Sequence, residues 1–239
     1  MPTFQEAFGD VSAALAQHFG RPPSHFEGLE PFEAMIAVLL ERKAGQTRWK
    51  AALEGLGAAG LLVPERLAEV EIIEIRDAAR EKGPILSAKA LAPLRHLARW
   101  LVEHHGGRVD SLFNPDRSTG WLRGELAAIK GIGMTDADAL LLFALKRPSY
   151  RVDRATYRVL VRHGWLDPTA TYDEARDALV DQAADQADTL EEDAAADLAE
   201  LAHGMEQLGR QFCRAAAPHC DGCPLEGLLP EGGPRGGDD

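Results

Sequence analysis

No apolar run in this sequence comes near 18 residues, and its opening residues, MPTFQEAFGD, contain neither a basic stretch nor an apolar one. A membrane-spanning helix and a secretory leader are therefore not expected. A chain of 239 residues with 45% hydrophobic residues reads as a soluble globular protein of one or two subdomains, expected in the cytoplasm or on the nucleoid. Basic residues are also short, with 26 Lys and Arg against 38 Asp and Glu and a net charge of −12. That balance argues against the usual basic footprint of a DNA-binding protein. The acid is localised, however. Between Asp167 and Glu200 twelve acidic residues face one basic residue, Arg176, a net of −11 that leaves −1 for all the rest. Such a run is usually a solvated helical face, and a neutral or locally basic DNA-binding face elsewhere is still allowed. Cysteine is scarce as well: there are three, and all lie within residues 213–223.

What is present is helical periodicity almost throughout. Phe4, Phe8, Val11 and Leu15 recur at three- and four-residue steps and predict an amphipathic helix over 4–18, ended by Gly20 and Pro22-Pro23. A strongly apolar helix opens with a proline in its first turn at Pro31 and is followed by a second over 47–56. Two short helices are predicted within 64–81. After the break Gly83-Pro84-Ile85-Leu86, a long helix runs over 88–105 and stops at Gly106-Gly107. The expected class is all-α.

The stretch from Leu126 to Leu160 holds most of the chemistry. It reads as a helix end, the turn Gly131-Ile132-Gly133, an apolar helix over 135–145, a loop, and a helix from Asp153. Gly131 and Gly133 permit positive φ, which can turn backbone N–H groups outward beside the next helix N-terminus, an arrangement that suits phosphate. Two glycines also serve a packing turn that binds nothing.

The segment resembles the helix-hairpin-helix glycosylases of the endonuclease III superfamily, whose pattern is L-x-G-[VI]-G-x-K-x-A followed, eighteen residues after the lysine, by the aspartate of a V-D pair. Gly131-Ile132-Gly133-Met134-Thr135 and Val152-Asp153 keep that spacing, with Thr135 at the lysine position. The resemblance spans about residues 30 to 224. It implies two helical subdomains flanking a DNA-binding cleft: residues 1–29 with 165–224, which carry a cysteine loop, and a helical-barrel-like 30–164 with the hairpin at about 123–146. Residues 225–239 would be a disordered tail. Double-stranded DNA with a damaged base is the implied partner and a monomer the implied state. Gly131, Ile132, Gly133 and Met134 would meet the DNA backbone. Lys43 stands where the family places a glutamine that enters the duplex, and Ile85 stands at the position of a wedge filling the gap left by an extruded base. Lys43 as a surface lysine and Ile85 as a hydrophobic staple are the plain alternatives.

Cleaving an N-glycosidic bond on an extruded base builds positive charge on the sugar, which a carboxylate stabilises. Asp153 is the candidate, although Asp before Arg-Ala-Thr-Tyr is also a good helix N-cap. In family members with the lysine, its amine attacks C1′ and forms a Schiff base that permits strand cleavage. A threonine hydroxyl forms no imine. The resemblance therefore implies a monofunctional glycosylase, and Thr135 with Asp138 would supply a capping box. Further likeness to the lysine-lacking, alkylpurine-removing branch implies a 3-methyladenine-type lesion, with Trp49, Trp121, Tyr150 and Trp165 as pocket candidates. The alternatives are a relative acting on oxidised or deaminated pyrimidines and a silent paralogue that only binds damaged DNA.

Cys213, Cys220 and Cys223 form C-x6-C-x2-C and match three of the four positions of the family's iron–sulfur loop. The fourth position, 229, is Leu229. Three thiols leave one over in any disulfide scheme, and thiolates suit an iron–sulfur cluster or zinc. The resemblance implies a [4Fe-4S] cluster with a non-cysteine fourth ligand, such as Glu226, Glu231 or solvent. Zinc completed by His219 or His203, or no metal, are the other readings. His96, His104, His105 and His163 show no ligand spacing and read as structural or solvent-facing.

Overall fold

Thr3 opens the first helix with a reciprocal cap: its hydroxyl accepts from the Glu6 N–H, and the Glu6 carboxylate accepts from the Thr3 N–H at 2.8 Å. In the computed structural model, which describes residues 2–21, 26, 28–45, 47–185 and 191–236, that helix is α1 (Phe4–Phe19). The others follow in order as α2 (Pro31–Ala44), α3 (Trp49–Ala58), α4 (Pro64–Glu69), α5 (Ile72–Lys82), α6 (Ala88–His105), α7 (Thr119–Ala128), α8 (Met134–Ala139), α9 (Arg154–Arg162), α10 (Tyr172–Asp185) and α11 (Glu191–Gln211). Among the described residues there is no strand, and none of their helices is long and apolar enough to cross a membrane.

The chain divides into two units, one of residues 26–145 and one of residues 1–25 with 146–239. The second boundary falls at Lys146 rather than after 164, because α9 packs on α11 and so joins the discontinuous unit. Residues 225–236 are not a free tail in this structure. Leu225 is fully buried, and the Arg235 N–H donates to the Arg162 carbonyl at 2.7 Å. Residues 237–239 lie outside the described residues.

In the continuous unit, α2 is the central element, with Met35, Ile36, Ala37 and Leu40 all fully buried. A helix apolar all round belongs in a core. It packs on α3, α6 and the stretch after α8. Gly83 allows the α5–α6 connection to pass against α3, since a Cβ there would stand 2.6 Å from the Ala52 nitrogen. Ser87 caps α6, and Gly106 ends it in the left-handed conformation at φ 58°.

The helix expected over 135–145 is two pieces. Regular α-helix ends at Ala139, and residues 140–144 form a π turn closed by the Leu145 N–H on the Leu140 carbonyl at 3.0 Å. Lys146 then adopts φ 52°, which terminates the segment. Single π turns of this kind are frequent at functional sites.

Two buried carboxylates fix α8 to its neighbours. Asp138, wholly inaccessible, takes a bidentate pair from Arg123 of α7 at 2.7 and 3.0 Å, and Asp136 pairs with Arg42 of α2. Asp138 therefore does not serve a Thr135 capping box. Removing one partner of a buried pair strands the other charge, at a cost of about 3–5 kcal/mol. Asp138→Ala is accordingly expected to lose about that much stability in denaturant melts. A loss below about 1 kcal/mol would show that the pair does not hold the hairpin.

The discontinuous unit is built on α1 against α11, with Phe4, Phe8, Val11 and Leu15 buried on the α1 side. Gly204 lets them meet, for a Cβ there would lie 2.8 Å from the Leu15 Cβ. Gly209 does the same for α9, where a Cβ would lie 2.3 Å from the Ala155 Cβ.

Candidate active site and cysteine loop

The hairpin turn is held from below. Ile129 and Ile132 are buried, the Ile132 N–H closes on the Ile129 carbonyl at 2.9 Å, and His96 Nδ1 lies 2.6 Å from the Lys130 carbonyl. Gly131 sits at φ 89°, and Pro93 of α6 would be 3.0 Å from a Cβ there, so both backbone angle and space call for glycine. Gly133 differs from expectation: at φ −102° and ψ −179° it is extended, and it is the residue that caps α8. Its carbonyl accepts from the Asp136 and Ala137 N–H groups at 3.0 and 2.9 Å.

Among the described residues no backbone acceptor is recorded for the N–H groups of Gly131, Gly133, Met134 and Thr135. They stand at the turn and the start of α8, where an anion is favoured. Ile132, by contrast, has its side chain buried and its N–H bonded to the Ile129 carbonyl. Met134 is 45% exposed. Thr135 is the second residue of α8 and takes no part in capping, which corrects the N-cap expected of it.

Lys43 is exposed in the last turn of α2, one residue after the Arg42 that pairs with Asp136. Ile85 is 79% exposed, the largest value among the big apolar side chains of the described residues, while its neighbour Leu86 is buried. Leu86 faces the core, and Ile85 is left in solvent. Of the four aromatic candidates, Trp49 and Tyr150 are core residues and Trp165 packs on Phe4 and His163. Trp121 alone of the four is exposed, on α7, with the Arg117 guanidinium 4.9 Å from its ring.

Asp153 caps α9: one carboxylate oxygen accepts from the Thr156 N–H at 2.7 Å. Its side chain is partly exposed and lines a cavity with Arg154, Tyr157, Arg158 and Tyr172. Beneath it Tyr150 is fully buried, with its hydroxyl 3.4 Å from the Thr156 Oγ1 and its ionisation pushed up by burial. The carboxylate is thus fixed by a backbone bond in a concave, arginine-rich surface.

Helix α9 also holds the cysteine loop. Arg158 donates twice to the Cys213 carbonyl at 3.0 and 2.8 Å. Arg162, one turn on, donates to the carbonyls of Arg214 at 2.6 Å and Ala215 at 3.0 Å. It also approaches the Cys213 Sγ at 3.5 Å. The three cysteines line one cavity together with His163, His219 and Leu229. Burial pushes the Cys220 and Cys223 thiols up, and the neighbouring cysteine sulfurs push them further the same way. Among the described residues no three His, Cys, Asp or Glu side chains stand where they could hold one metal ion. A cluster, bound at its corners, takes ligands that stand further apart than those around one ion. Three thiols lining one cavity suit the chemistry of that group, whereas Leu229 offers no fourth thiolate.

Several features of this geometry had no signal in the sequence. The Arg42 and Arg123 partners of the hairpin carboxylates are distant along the chain. His163, read as structural or solvent-facing, is buried beside the cysteines.

An all-α chain with a glycine hairpin, a helix-capping aspartate and a cysteine loop defines a class, the helix-hairpin-helix proteins. No family model matches the sequence. It is 27% identical over 196 residues to the "Putative DNA repair glycosylase" of Methanocaldococcus jannaschii, covering 82% of this chain and 83% of that one. It is 25% identical over 195 residues to endonuclease III of Sulfolobus acidocaldarius, covering 81% and 79%. Among solved structures, a trapped endonuclease III–DNA covalent intermediate superposes with a TM-score of 0.71 at 22% identity, over 97% of this chain and 98% of that one. The 3-methyladenine DNA glycosylase of H. pylori bound to 1,N6-ethenoadenine gives 0.66 at 18% identity, over 88% and 98%. The chain is thus similar in sequence to DNA repair glycosylases of the endonuclease III type and shares their fold.

Proposed function

We propose that this protein is a monofunctional DNA N-glycosylase that removes a damaged base, an alkylated purine, from duplex DNA by hydrolysis and leaves an abasic site. The observation that carries the reading is Asp153, a carboxylate held by one backbone bond in the lining of a cavity. One oxygen is fixed by the Thr156 N–H, and the carboxylate's charge stabilises the oxocarbenium-like sugar and orients water. The N–H groups of Gly131, Gly133, Met134 and Thr135 take a phosphate of the strand without reading bases. Thr135 at the lysine position supports hydrolysis in place of imine chemistry. The alkylpurine assignment rests on the likeness to the lysine-lacking branch and to the H. pylori enzyme.

Cys213, Cys220 and Cys223 hold a [4Fe-4S] cluster, which when bound gives the loop a fixed centre. The loop's carbonyls are in turn what Arg158 and Arg162 grip, so the cluster and the Asp153 helix share one support.

The test is strand nicking of duplex oligonucleotides that each carry an alkylpurine, thymine glycol, uracil or an abasic site, with and without hot alkali. Cleavage of the alkylpurine strand only after alkali is expected. Nicking without alkali would overturn the hydrolytic reading, and binding with no excision of any base would leave a non-catalytic damage binder.

Ile85 extends the prediction. As a wedge between base steps it contributes only on a duplex, so Ile85→Ala is expected to slow duplex excision by roughly tenfold. Excision from a single strand and thermal stability should not change. Equal losses on both substrates would sink the wedge assignment.

A further inference from the structure

We propose that His96 is a positioning residue for the hairpin: its Nδ1–H holds the Lys130–Gly131 peptide in the orientation that turns the Gly131 N–H away from α6 and toward a DNA phosphate. This rests on the phosphate role given to the hairpin above. The turn has the Ile132 N–H closed on the Ile129 carbonyl at 2.9 Å and Gly131 at φ 89°. Lys146 is the one non-glycine residue with positive φ among those described, so Lys130 has negative φ. Together these define a type II turn with Lys130 and Gly131 at its centre. Types I and II differ mainly by a flip of that central peptide, and a glycine in the third position accepts either sign of φ. The local sequence therefore leaves open which way the Gly131 N–H faces.

The direction decides whether an anion is welcome. The peptide is trans, so its carbonyl and its N–H point opposite ways. As observed, the Lys130 oxygen faces His96 of α6 and the Gly131 N–H faces away from it. After a flip the oxygen would meet the phosphate and repel it.

One face of α6 supplies the hold. His96 Nδ1 lies 2.6 Å from the Lys130 carbonyl oxygen. That oxygen can only accept, so Nδ1 carries the proton and the tautomer is fixed. Pro93, three residues earlier on the same face, is 3.0 Å from where a Gly131 Cβ would be. A proline inside a helix forgoes a backbone bond, and here its ring is the floor under Gly131. The bond from His96 does more than orient, since a peptide whose carbonyl accepts a hydrogen bond donates more strongly through its N–H.

The experiment uses the full chain labelled with 13C-carbonyl lysine and 15N-glycine, as wild type, His96→Ala and His96→Gln. Lysine precedes glycine only at Lys82-Gly83 and Lys130-Gly131, so the carbonyl-edited amide spectrum holds two signals. Gly83, whose N–H is bonded to the Ala79 carbonyl, is the internal reference for the fold. A second sample carries 15N-histidine, at a pH where the ring is neutral. The probe is a duplex with one tetrahydrofuran abasic analogue, its affinity read by fluorescence anisotropy. In wild type the Gly131 signal should move on binding while Gly83 stays, and the ring signal missing from His96→Gln should report Nδ1–H. His96→Ala should shift the free Gly131 signal, leave Gly83 in place and weaken binding about fivefold. His96→Gln, whose amide can donate in place of the ring, should restore most of that loss. Wild-type affinity in His96→Ala, a loss that glutamine does not restore, or an Nε2–H ring in wild type overturns the role of His96 and leaves the hairpin reading standing. The tautomer decides should His96→Ala fail to fold. A wild-type Gly131 signal that stays put under saturating duplex overturns both.

Discussion

Asp153→Asn is expected to lower single-turnover excision by about 10²–10⁴-fold while leaving the protein folded. The two halves of that result come from the two oxygens of one side chain. Oδ1 accepts from the Thr156 N–H at 2.7 Å and holds the first turn of α9. An asparagine carbonyl makes that same bond, and Asn is as good an N-cap as Asp. What the amide cannot supply is a negative charge beside a sugar that is becoming positive. Asp153→Ala removes charge and cap together and should also lose about 1 kcal/mol of stability. Comparing the melts of the two variants therefore separates cap from chemistry. An Asn variant that excises at the wild-type rate would remove Asp153 from the mechanism.

Thr135→Lys is expected to convert the enzyme into one that also cuts the strand. Thr135 is the second residue of α8, partly exposed and outside the capping network. Lysine has the better helix propensity, so the exchange should cost no stability. An amine at this position can attack C1′, form the imine and carry the lesion to β-elimination. The readout is a borohydride-trapped protein–DNA adduct and nicking before alkali, neither of which is expected of wild type. Retained glycosylase activity with no trapped adduct would show that the residue does not reach the sugar. Should wild type itself trap, Lys130→Ala and Lys146→Ala would locate the amine, both residues being exposed near the hairpin.

The helices were legible because their signals are local. The three- and four-residue steps of Phe4, Phe8, Val11 and Leu15, the proline at Pro31 and the glycines after His105 each act within one or two turns, and the corresponding helices are present. Errors appear where the deciding partner is distant along the chain. Thr135 and Asp138 have the spacing of a capping box, but Arg123 claims the carboxylate, and Gly133 in extended conformation becomes the cap. The Gly-Ile-Gly motif could not say which glycine needs positive φ, which Pro93 of another helix helps to settle at Gly131. The glycine- and proline-rich stretch after Leu225 reads as a tail, yet an Arg162 carbonyl anchors it. The burial of His163 left no mark in the sequence, because its neighbours in the cavity come from another part of the chain.

The discontinuous unit has a consequence for the order of folding. Residues 26–145 make one contiguous core, so every contact in that unit is available once residue 145 has been synthesised. Helix α1 is made first but has no home until α11 exists, nearly the whole chain later. Closing so long a loop costs entropy that local contacts do not repay early. Until then the apolar face of Phe4, Phe8, Val11 and Leu15 stays open to wrong partners on a growing chain. The Asp153 helix waits with it, since its support is also α11. Nascent chains halted after residue 145 should already protect the hairpin from protease while leaving α1 cleavable, so the unit that holds the hairpin matures before the one that holds Asp153.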